Sequence, residues 1–80
     1  MNQHNSKQFD LELEQIRTQV LQMGGQVEQQ VRFAMEGLED GRADIIDRVI
    51  VDDKLINQME VNLDEACSNI IAKRQPAASD

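Results

Sequence analysis

Between Phe9 and Leu38 apolar residues return every three or four positions, as Phe9, Leu13, Ile16, Val20, Met23, Val27, Val31, Ala34 and Leu38. Held for about eight turns, this spacing describes one amphipathic helix, which the reading places near residues 6–39. Asn5 or Ser6 is its expected N-cap. No proline falls inside the pattern, because the chain's one proline is Pro76. Gly24-Gly25 does interrupt it, at about 1 kcal/mol per glycine relative to alanine. Since the apolar register continues across the pair, a close approach by a neighbouring backbone or a slight bend is expected there, not a break.

Asp40-Gly41-Arg42 reads as a turn, with Gly41 suited to the left-handed conformation that ends a helix. So short a connection makes the next helix, near residues 43–74, an antiparallel neighbour. Lys73 and Arg74 favour its C-terminal dipole, and Pro76 enforces the stop. The fold class is therefore all-α, an antiparallel helical hairpin. The tail at 75–80 reads as the approach to a further helix, with Ser79 or Asp80 as its N-cap. Two helices cannot bury this much apolar surface, so the hairpin is expected to be a fragment or to complete its core by self-association.

The second helix carries two adjacent lines of residues. One runs Ile45, Val49, Asp52, Ile56, Met59, Leu63, Ala66 and Ile70, and is apolar almost throughout. The other runs Ile46, Ile50, Asp53, Asn57, Glu60, Asp64, Cys67 and Ile71, apolar at its ends and polar in its middle. Asp53, Asn57, Glu60 and Asp64 project from nearly one side, where like charges repel unless a cation intervenes. Such oxygen ligands suit magnesium, calcium, manganese or iron. A solvated acidic edge is the alternative, since the chain has 15 acidic residues.

Other features narrow the function. A net charge of −7 argues against binding a nucleic-acid backbone. Cys67 is the single cysteine, so it is expected to be a buried, reduced thiol. No apolar run approaches the roughly 20 residues of a membrane span, so a soluble, cytoplasmic chain without membrane insertion is expected. His4, the only histidine, falls in a tail read as disordered. Met23, Met35 and Met59 read as core filler, while Glu12, Glu14, Glu28 and Glu36 are exposed candidates for partner contact. No nucleophile, acid/base pair or phosphate loop can be assembled, which points away from an enzyme.

QIRTQVLQMGGQVEQQV at 15–31 and VIVDDKLINQMEVNLDEACSNIIAKRQPAASD at 49–80 closely resemble the N-terminal part of the PhoU family. The resemblance implies the first two helices of a three-helix PhoU-type bundle, with the remaining helices beyond this chain. It also implies acidic four-residue motifs that hold iron or another divalent metal. Glu60-Val61-Asn62-Leu63-Asp64 fits that motif, whereas Asp53-Lys54-Leu55-Ile56-Asn57 fits in part because it ends on Asn. Glu60 and Asp64 are thus the first expected metal ligands, then Asp53 and Asn57, in a site that other carboxylates must complete.

In function the resemblance implies a non-enzymatic negative regulator of phosphate uptake and of the phosphate-starvation regulon. It would act by contact between the ATPase subunit of the phosphate ABC transporter and the PhoR sensor kinase. The protein would then reach the inner membrane only through partners, as a homo-oligomer. The rival readings are a generic helical oligomerisation module and a metal-binding helical bundle unrelated to phosphate.

Overall fold

The structure, a computed structural model, describes the backbone of residues 2–74 and the side chains of residues 7–74. Two helices account for it, α1 (Asn2–Asp40) and α2 (Ala43–Arg74), packed as an antiparallel hairpin. The tail and its expected caps Ser79 and Asp80, Pro76 and the side chain of His4 lie outside the described residues. α1 begins at Asn2, so Asn5 and Ser6 sit within the helix and are not its cap. Both residue types are tolerated inside a helix at a penalty of well under about 1 kcal/mol, and nothing local opposes the extra turn.

The turn is built as its residues dictate. Gly41 has φ +63°, the left-handed region open to glycine without penalty. The Arg42 N–H then donates back to the Gly37 carbonyl at 2.8 Å, closing α1 with a Schellman motif. Arg42 also starts α2, its carbonyl accepting from the Ile45 and Ile46 N–H groups at 3.2 and 3.3 Å. The Arg42 guanidinium holds the Asp44 carboxylate through two hydrogen bonds of 2.9 and 2.7 Å. That places an acid in the first turn of α2, where the helix dipole favours it.

α2 meets α1 along its first line, in which Ile45, Val49, Asp52, Ile56, Met59, Leu63, Ala66 and Ile70 are all half-buried. α1 answers with a line that the apolar spacing does not predict. Its half-buried or buried positions step through Phe9, Glu12, Ile16, Gln19, Met23, Gln26, Gln30, Phe33 and Gly37, alternating three and four residues, with Ala34 half-buried beside Phe33. Leu13, Val20, Val27, Val31 and Leu38 belong to the apolar stripe but stay exposed. The stripe is wider than one neighbouring helix can cover. α2 therefore takes one edge of it, and polar side chains fill the other half of the contact line. Gln30 is satisfied there, donating to the Val49 carbonyl at 2.8 Å.

The close approach falls at Gly37, not at Gly24-Gly25. A Cβ on Gly37 would lie 2.8 Å from Ile46 Cδ1 and 3.3 Å from Ile45 Cγ2, whereas neither Gly24 nor Gly25 has anything within 4 Å of that position. α1 runs unbroken through the pair. The result is a rod of 59 × 24 × 12 Å with a radius of gyration of 18.4 Å, against about 12 Å for a compact 80-residue domain. Among the described residues no apolar side chain is fully buried. One layer of helices has no second layer to enclose a core against.

Candidate functional site

The second line of α2 turns away from the α1 contact. Asp53, Asn57, Glu60 and Asp64 are all exposed, and Ile50 and Ile71 are exposed beside them. They share a side of the hairpin with the uncovered half of the α1 stripe. At the far end from the turn, Leu13 of α1 lines one apolar pocket with Cys67 and Ile71 of α2. At the turn end, Ile46 of the same line packs on Gly37. The open face thus has an apolar wall from α1 running its full length. Its α2 wall is acidic in the middle third and apolar at both ends. Cys67 is half-buried in this face, not enclosed, because only one wall covers it.

This placement defines what the acids can do. Glu60 and Asp64 lie one turn apart on α2 and present two carboxylates to the same side, with Asn57 and Asp53 about one and two turns nearer the hairpin turn. Their chemistry fits a hard cation, but their number does not complete a site. Among the described residues no three His, Cys, Asp or Glu side chains come together to hold a metal ion. Asp52, their sequence neighbour, belongs to the other line and pairs with Arg48 at 3.6 Å.

The opposite side of the hairpin is built from amides. Gln8, Gln15, Gln22 and Gln29 recur every seven residues along α1, and Asn62 and Asn69 recur at the same interval on α2. Near the turn this side forms a groove lined by Gln29, Glu36, Arg42, Asp44 and Arg48. Four of its charged side chains are paired, Arg42 with Asp44 and Arg48 with Asp52. The Asp44 carboxyl is held down to about 2, first by its hydrogen bond to Arg42.

Glu12 is the residue that spacing misplaces most. It is 8% exposed, the one buried charged side chain among the described residues, and not a surface contact point. Glu14, Glu28 and Glu36 do remain exposed, as does Met35, which fills no core. The Glu12 carboxylate accepts a hydrogen bond from Lys73 Nζ at 2.5 Å and lies 3.9 Å from Arg74 Nη2. The Lys73 hydrogen bond holds its pKa below the ordinary value against the opposing effect of desolvation. The basic last turn of α2, read from sequence as a helix-end signal, therefore also reaches across to α1. The only sequence signal for this was an acid on the same face as Phe9 and Ile16.

Comparison with known proteins places this hairpin among relatives. A family model described as the PhoU domain matches residues 20–80. The chain is 56% identical over all 80 residues to the phosphate-specific transport system accessory protein PhoU of Escherichia coli (strain K12). It is 49% identical over the same length to a PhoU homolog of Pseudomonas aeruginosa, and 35% identical over 77 residues, or 96% of the chain, to one of Rhizobium meliloti. In each case the alignment spans 32–33% of the relative, so this chain corresponds to about a third of those proteins. No solved structure matches it. With the family model covering most of its length and identity running through both helices, the chain belongs to the PhoU domain family.

Proposed function

We propose that this chain serves as part of a phosphate-transport accessory protein that negatively regulates phosphate uptake and the phosphate-starvation regulon. The observation that carries the reading is the 56% identity over all 80 residues to an accessory protein of the phosphate-specific transport system. The protein acts by contact and not by catalysis, joining the ATPase subunit of the phosphate ABC transporter to the PhoR sensor kinase on the cytoplasmic side. No helix among the described residues is long and apolar enough to cross a membrane. The test is a reporter for phosphate-starvation genes in phosphate-replete cells of the native host. Deleting the reading frame raises reporter output and uptake if the proposal holds. Unchanged output and uptake overturn it.

Two further elements belong to the same reading. The open apolar face supports completion of the core by another helix, by self-association where no such helix is supplied. Glu60 and Asp64 contribute two oxygen ligands toward iron or another divalent metal, with Asp53 and then Asn57 as outer contributors. Replacing both as Glu60→Ala and Asp64→Ala lowers the metal content of the purified protein, measured by elemental analysis. Equal metal content in the double variant removes these residues from the site.

A further inference from the structure

The hairpin is fastened at both ends, by different means. At the turn, the Gly41 motif and the Gly37–Ile46 contact leave little freedom. Glu12 lies 29 residues before Gly41, about 44 Å away along α1, too far for the turn to dictate how the helices meet. Apolar contact is thin there, with Phe9, Ile16 and Ile70 only half-buried. A charged side chain nonetheless occupies the most enclosed position. An apolar residue there would pack at least as well, so a buried carboxylate is better explained by specificity than by strength.

The geometry shows what it specifies. Lys73 and Arg74, the last described residues of α2, both converge on Glu12. The Arg74 guanidinium also lies 4.3 Å from the centre of the Phe9 ring, within cation–π range. Arg74 and Phe9 then form one end of the apolar pocket that continues through Leu13, Cys67 and Ile71. Sliding α2 by one heptad would replace Lys73 and Arg74 with Ala66 and Cys67 opposite Glu12. That would leave the carboxylate enclosed and without a cation.

We propose that Glu12 is an ionic latch on the far end of the hairpin, holding the last turn of α2 against α1 so that Arg74 closes over Phe9 and walls the apolar pocket. Opening the latch frees the end of α2 and dissolves that wall while the turn end stays closed. Residue-resolved hydrogen exchange on the full chain tests this, comparing the native protein with Glu12→Gln. Amides at 70–74 exchange about tenfold faster in the variant, the effect of losing one charge-assisted hydrogen bond, while amides at 46–50 keep their native rates. Lys73→Met gives the same local pattern and serves if Glu12→Gln does not fold. Exchanging the charges as Glu12→Lys with Lys73→Glu restores only part of the protection, because Arg74 then faces a like charge. Native rates at 70–74 overturn the latch. Equal acceleration at both ends also overturns it, because Glu12 would then support overall stability only.

Discussion

The two long faces of this hairpin are made from the same helices and differ in almost every respect. One offers Leu13, Val20, Val27, Val31 and Leu38 from α1 against a line of α2 that is apolar at its ends and acidic in its middle. The other offers Gln8, Gln15, Gln22 and Gln29 against Asn62 and Asn69, with the isolated apolar residues Leu11 and Leu55. Scattered apolar residues among amides are ordinary surface, whereas a continuous apolar wall marks a place of contact. The difference gives the hairpin a direction. One side is an exposed apolar wall and the other is lined by amides, and the candidate ligands Glu60 and Asp64 lie on the apolar side.

Charging each face in turn sharpens this comparison most. Val20→Glu with Val27→Glu is expected to weaken any association through the open face by at least about a hundredfold, given about 1.5–3 kcal/mol for each buried apolar side chain. Gln15→Glu with Gln22→Glu on the amide face should leave association within about twofold. Sedimentation across a concentration series reads both. Equal effects from the two pairs would erase the distinction.

The glycines offer a smaller and more local test. Gly37→Leu is expected to lower stability by about 1–3 kcal/mol, since its first side-chain atom already meets Ile46. Gly25→Ala, on the amide side beside Gln22 and Leu55, should raise stability by about 0.5–1 kcal/mol through helix propensity alone. Gly24 shares its side with Val20, Val27 and Val31. Gly24→Ala should therefore stabilise the bare hairpin equally and yet weaken a complex in which another helix packs closely on the open face. Thermal denaturation with and without association separates the two glycines.

Acid gives the smallest effect and separates the hairpin's ends. Glu12 has a lowered pKa in the folded chain, so its contribution is complete above its ordinary value of 4.5 and disappears as pH falls through the folded value. Asp44 follows the same sign between 3.8 and about 2, but its pair with Arg42 is exposed and adds little. Helicity followed by circular dichroism should hold steady down to about pH 5 and decline below it. In Glu12→Gln that decline should be shallower. An identical acid profile would show that Glu12 does not govern the far end.

Much of the fold was legible from residue order. The hairpin, the left-handed Gly41 and the half-buried line from Ile45 to Ile70 follow from spacing and turn chemistry, which are local properties. The identity of the acidic line was legible as well, because four residues on one helix share a side whatever the neighbours do. Which side that line would take relative to α1 was not. The α1 stripe is broad enough to offer two contact lines, and spacing does not rank them. Gly24-Gly25 was conspicuous in sequence and touches nothing here, while Gly37, an unremarked single glycine, makes the close approach.

By itself the sequence determined two long helices, their antiparallel order and the make-up of each helical face. These depend on residues within a few turns of one another. Only the tertiary structure decided the rotation of α1 about its own axis, and everything of interest at the far end follows from that rotation. It turns Val20 and Val27 outward beside the carboxylates, and it turns Glu12 inward to meet Lys73, 61 positions away. The physical reason is that one neighbouring helix can cover only part of a wide apolar stripe. Which part it covers depends on where the polar groups along the seam find partners.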